Sequence, residues 1–183
     1  MVTTKPSQVK EVNIFILDEN PFRAASHFHD KLVVKMILES AQMLSTTRRF
    51  YGDNRSCLYK TSFLNHPCTI WVRESLDNYI WLSKHFIGLC NEYTYRYNKI
   101  HRSHNLLPIF GEVLENFESK GLTPFALAMP DKYKTDDAVQ SYRNYYLGEK
   151  IKDKIWTNRS REELDSWLSA SLKDEQFKSD LPF

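Results

Sequence analysis

The stretch DKLVVKMILESAQML, residues 30–44, decides how this chain folds. Lys31, Lys35, Glu39 and Gln42 recur at intervals of four, four and three, which puts them on one face of an α-helix. His27 extends that stripe by one turn. Leu32, Val33, Val34, Met36, Ile37, Leu38, Met43 and Leu44 cover most of the remaining circumference. A helix so apolar belongs in a protein interior. Burying a carboxylate and two ammonium groups is costly unless they are paired or line a wet cleft. The stripe is therefore an internal ion-pair network or the floor of an active site.

The wider composition agrees with a helical globule. The chain has 183 residues, 42% hydrophobic and 26% charged, enough for one domain with a real core. Only 5 glycines speak against a turn-rich all-β fold. The net charge of +2 gives no global basic field, so any nucleic-acid contact must come from local clusters. Cys57, Cys68 and Cys90 lack the CxxC or CxxH spacing of a structural zinc site. An odd cysteine count and no signal peptide point to a reducing cytoplasm, that of a host cell if the chain is phage-encoded. No apolar run is long enough to cross a membrane.

Reading outward from the stripe, residues 1–12 are polar and predict a flexible tail. VNIFILD, residues 12–18, predicts a strand or an extended lead-in. Pro21 suits a helix first turn, and a long helix is expected from Phe22 to Thr46. A turn cluster follows at Gly52 to Arg55. A second long helix is expected from Thr69 to Ile100, with Trp71, Leu82, Phe86, Leu89, Tyr93, Tyr97 and Ile100 on its apolar face. Asn78, His85, Glu92 and Arg96 form a polar line beside that face. Further helices are expected over Leu106–Lys120, stopped by Gly121, over Asp137–Trp156 and over Arg161–Leu172. Ser160 and Glu163 have the spacing of a capping box. The result is an all-α fold, a single helical domain over residues 13–172. Two long antiparallel helices face each other polar line to polar line, with packed C-terminal helices and a frayed tail over 173–183.

Several groups could carry chemistry. Glu39 could act as a general base or stabilise positive charge on a sugar, with Lys31 and Lys35 tuning it, holding a phosphate or acting as nucleophile. The alternative is a plain Lys35–Glu39 pair at i, i+4. His66 precedes Pro67 and is held extended, presenting its imidazole or merely capping the second helix. Arg73 could hold a phosphate bidentately. EYTYRYNKIHRSH, residues 92–104, interleaves aromatic and basic groups as nucleic-acid surfaces do, or is a solvated helix end. Tyr142, Arg143, Tyr145, Tyr146, Lys150, Lys152 and Lys154 form an aromatic and strongly basic C-terminal stretch. His27 and His29 point to different faces, and no metal or cofactor is expected.

With these residues in view, the chain resembles a set of phage-type proteins. Their start reads NIF-x-LD-x-NP followed by DK…K…LE…Q, here Asn13 to Pro21 and Asp30 to Gln42. It is more distantly similar to the pyrimidine-dimer DNA glycosylase/AP lyase family of the endonuclease V type. Asp30 and Glu39 occupy the places of that family's helix carboxylates. His66-Pro67 matches an HP dipeptide, Glu92, Arg96 and Tyr97 match a long-helix cluster, and Tyr142 to Tyr146 resembles its aromatic tail. The family's nucleophile is the α-amine exposed when the initiator Met is removed. Here residues 1–12 stand ahead of Asn13, and Leu32 replaces a histidine that the family often carries. The resemblance implies a DNA N-glycosylase-like protein acting on an extruded damaged or modified base, by carboxylate-assisted attack of water. Glu39 would be the catalytic carboxylate, Lys31 and Lys35 its charged partners. His66, Arg73, Asn78, Glu92, Arg96, Tyr142 and Arg143 would bind the substrate. Two other functions fit the same residues: an accessory protein that binds a nucleotide or host factor without chemistry, and an enzyme acting on free nucleotides.

Overall fold

In the computed structural model, which describes residues 12–151 and 155–160 together with 163, 166 and 169, the chain is helical, with no strand among the described residues. The apolar lead-in is extended but pairs with no strand. Val12, Ile14, Phe15, Ile16 and Leu17 are all buried, so this segment threads the core. Because Val12 is buried, the part of the expected tail that is described belongs to the fold, and residues 1–11 lie outside the described residues.

Each of the two expected long helices is broken once, at a residue whose side chain competes for backbone N–H groups. Asn20 caps α1 (Pro21–Ser26), its Oδ1 accepting from the N–H of Phe22 and Arg23. His29 then starts α2 (Asp30–Phe50), its Nδ1 accepting from the N–H of Leu32. His66 caps α3 (Pro67–Glu74), and Ser75, with extended φ and ψ, separates it from α4 (Leu76–Tyr97). Asn98 ends α4 in the left-handed region at φ 51°.

α2 and α4 pack against each other and run antiparallel. Arg48 near the end of α2 donates to Tyr79 Oη near the start of α4 at 3.4 Å. At the other end Arg96 of α4 donates to Asp30 of α2 at 3.0 Å. α1 lies across α4 at Gly88, where a Cβ would stand 2.9 Å from the Ala25 Cβ and 3.3 Å from the Phe22 backbone. Only glycine allows that approach.

The helix expected over Leu106–Lys120 is absent. A 3₁₀ turn at Arg102–Leu106 runs into the short α5 (Leu107–Phe110), and the chain then leaves helical geometry. Leu114 and Phe117 are buried as their spacing suggested, but residues 118–121 are spent on the start of α4. Leu76 donates to the Glu118 carbonyl at 3.0 Å, and Asp77 accepts from Ser119 and Gly121 at 2.6 and 3.0 Å. α6 (Ala138–Glu149) ends earlier than the expected Trp156. Ser160 and Glu163 do form a reciprocal capping box, at 2.9 and 3.1 Å. Ser166 and Ser169 are helical; the rest of the expected last helix and the 173–183 tail lie outside the described residues.

Candidate active site

The stripe on α2 runs from solvent into the core between Lys31 and Glu39. Glu39 is 5% exposed, Lys31 and Lys35 are exposed, and Lys35 Nζ lies 3.3 Å from Glu39 Oε1. Beside them opens a cleft of about 230 Å³, lined by Phe15, His29, Lys31, Leu32, Lys35, Glu149 and Lys150. The Glu149 carboxylate accepts from Lys132 at 3.2 Å and from Tyr133 Oη at 2.8 Å. Lys31, Lys35 and Lys150 outnumber the one acid of the lining, and a net positive cleft suits an anion such as a phosphate.

The floor behind the stripe is made by the lead-in. Asn13 Oδ1 accepts from the N–H of Ile14 and Phe15 at 2.8 and 3.2 Å, and its Nδ2 donates to the Ala128 carbonyl at 2.7 Å. This turn holds Phe15 at φ 53°, a left-handed conformation that costs a bulky residue about 1–3 kcal/mol. Phe15 stacks on Tyr145 at 5.6 Å between ring centres. Cys68 Sγ lies 4.0 Å from both Asn13 Oδ1 and Tyr142 Oη. Burial pushes its thiol up to about 12, and the nearby Glu39 charge adds to the shift. This thiol is a packing group, not a nucleophile.

On the far side of the Phe15–Tyr145 pair lies a second cleft of about 330 Å³. It is lined by Val12, His66, Pro67, Leu127, Ala128, Met129, Pro130 and Tyr145. His66 is half-buried, its Nδ1 accepting from the Cys68 N–H at 3.2 Å, and burial lowers its pKa.

The other residues singled out by sequence sit elsewhere. Asn78 spends its amide on Trp71 O and Thr123 at 2.7–3.0 Å. His85 bonds the Pro21 carbonyl at 2.9 Å. Arg96, with a fully buried side chain, donates to Glu92, Asp30, Phe28 O and Ser26 O. Glu92 also pairs with Arg159. The polar line of α4 thus faces α1, the 118–123 segment and the 155–160 segment, and not the stripe of α2 as expected. The reason is that backbone acceptors freed at the α1–α2 break outcompete a distant side chain. Arg73 bonds Leu64 O and lies 5.0 Å from the Phe50 ring, at the end of α2 remote from Lys31. Arg143 bonds Leu17 O at 2.9 Å, and Tyr142 Oη bonds Ala126 O at 2.5 Å. The structure therefore gathers Lys31, Lys35 and Glu39, with His66 and Tyr142 behind them, and leaves Arg73, Asn78, Glu92 and Arg96 outside. Asn13 and Phe15 of the NIF motif and Tyr145 and Lys150 of the Tyr-rich basic stretch join the site, as does Met129. The NIF motif and the Tyr-rich stretch held the only sequence signal for any of them.

The family model for pyrimidine dimer DNA glycosylase matches residues 12–105, from the lead-in through α4. The chain belongs to the pyrimidine dimer DNA glycosylase family. Membership gives it a DNA glycosylase-like function, with DNA as partner. The matched residues include Asn13, Lys31, Lys35, Glu39 and His66. Tyr145, Lys150 and the 127–130 wall fall outside them. No curated protein and no solved structure matches the chain. Among the described residues no group of three or more His, Cys, Asp or Glu side chains could hold a metal, and no helix is long and apolar enough to cross a membrane.

Proposed function

We propose that this protein removes a damaged or modified base from DNA by cleaving its N-glycosidic bond, with Glu39 as the catalytic carboxylate. The observation that carries this reading is the position of Glu39, which is buried in an apolar helix yet joined at 3.3 Å to a lysine on the rim of a cationic cleft. A carboxylate there can take a proton from an attacking water and stabilise the positive charge that grows on the sugar as the base leaves. Lys31 and Lys35 hold the flanking phosphate. Charge-assisted contacts of this kind fix the register of the duplex without reading sequence. Tyr142 and Arg143 support the site from behind, through Ala126 and Leu17. Asn78, Glu92 and Arg96 act as structural groups of the scaffold.

Mass spectrometry of free base tests the reading. Wild type and Glu39→Gln are incubated with ultraviolet-irradiated DNA, hypermodified DNA and free nucleotides. Release from DNA that the substitution abolishes is the expected result and names the base. Release only from free nucleotides would move the activity to nucleotide metabolism. A folded protein that releases nothing would leave a binding role. Binding to DNA should fall steeply with added salt, whereas a mononucleotide should respond far less.

A further inference from the structure

We infer that the cleft lined by His66, Met129 and Tyr145 is the receptor for the extruded base, and that it selects a planar, uncharged ring presenting a hydrogen-bond acceptor. This deepens the glycosylase reading and rests on it. The two clefts differ in chemistry. Lys31, Lys35, Lys150 and Glu149 line the first, whereas among the described residues no charged side chain lines the second. A nucleotide divides the same way, into a charged phosphate and a neutral aromatic base. An enzyme that acts on a base must first take it out of the stack and hold it between apolar and aromatic walls. At about 330 Å³ the second cleft falls in the size range of small-molecule sites.

His66 supplies the polar contact. Its Nδ1 accepts the Cys68 N–H, so in the neutral ring the proton sits on Nε2. His66 lines the cleft, so this N–H is the donor it can offer, and a carbonyl or ring-nitrogen acceptor on the base answers it. The opposite wall is fixed in advance. Ala128 O accepts from Asn13, Ala128 N donates to Tyr142 Oη, and Tyr142 donates to Ala126 O. Such a wall loses little entropy when a ligand arrives. The two clefts share one partition: Tyr145 lines this one, Phe15 lines the cationic one, and the two rings stack at 5.6 Å. The wall at 127–130 lies outside the residues matched by the family model.

The test is a nuclear magnetic resonance titration of the full-length protein, labelled at histidine nitrogens and methionine methyls. Thymidine, deoxyuridine and deoxyadenosine serve as probes. Saturable shifts at the His66 ring and the Met129 methyl are expected. His66→Phe should weaken binding about tenfold, the worth of one hydrogen bond. Met129→Trp and Ala128→Trp each fill the cleft from a different wall and should abolish binding, so misfolding of one leaves the other readable. Shifts confined to residues around Lys31, Lys35 and Lys150, or no shifts, would overturn the assignment. Base release retained in both filled variants would overturn it while leaving the glycosylase reading in place. Nucleoside binding in the cleft without release by wild type would do the reverse.

Discussion

Two helices of this molecule carry polar groups on apolar surfaces, and they put them to opposite uses. On α4, Asn78, His85, Glu92 and Arg96 are buried and bonded within the protein. On α2, Lys31 and Lys35 stand at a cleft, and Glu39 is reached from it through Lys35. In sequence the two lines look alike. What separates them is their setting: α4 lies under α1 and the 118–123 segment, whereas Lys31 and Lys35 are exposed beside the cleft. The buried line on α4 serves as scaffold; the line on α2, exposed at its lysines, is the one we propose as the site.

Substitutions can break this contrast, and the largest effect is expected at Glu39. Glu39→Gln should lower base release about 100- to 10,000-fold while moving stability little, because Lys35 is half-exposed. Base-release kinetics beside denaturant unfolding check both halves. Arg96→Met should do the opposite. It leaves Glu92 and Asp30 without their buried cation and should cost about 3–5 kcal/mol in urea unfolding.

Acid should expose the α4 line in another way. His85 is buried with Nδ1 on a carbonyl and Nε2 without a partner among the described residues, and burial lowers its pKa to about 4. His27 is lowered to about 4 for the same reason. The unfolded chain takes up these protons first, near the ordinary histidine value of 6.5. Stability contributed by the neutral rings is therefore full above about 6.5 and is lost as pH falls towards 4, on the order of 3 kcal/mol per ring. Unfolding curves for His85→Phe should lose stability less steeply than wild type across that window. Smaller still, Asn78→Ala should cost about 1–3 kcal/mol for the unpaired Thr123 and Trp71 groups. Lys35→Ala should cost at most about 0.5 kcal/mol, seen as a slight fall in Tm.

How much of this could be read from sequence follows from what periodicity can encode. The helical class and the pairing of two long helices came from apolar spacing, and the capping box at Ser160 from residue identity. Lys31, Lys35 and Glu39 were visible because a charge in an apolar run is conspicuous. The breaks at His29 and Ser75 were missed because spacing does not register a single side chain that captures a backbone N–H. Leu114 and Phe117 imitated a helix, yet their segment caps α4, a contact made across sequence. Arg73, Glu92 and Arg96 were read as substrate-facing because charge pattern cannot say which partner is nearest in space. Phe15 and Met129 carry no charge to attract notice; only the turn at Asn13 and the Tyr142 bonds bring them to the clefts.

The segment after α6 closes back on the first two helices. Trp156 Nε1 bonds His27 O at 3.1 Å, Thr157 Oγ1 bonds Asp30 at 2.6 Å, and Asp30 N bonds Ile155 O at 2.9 Å. Contacts between partners so distant along the chain close very large loops and tend to slow folding. Until residue 157 has left the ribosome, this latch cannot form, and the α1–α2 break lacks its final set of bonds. Trp156→Phe should therefore remove a late fluorescence change from refolding while leaving the recovery of the helical signal in place.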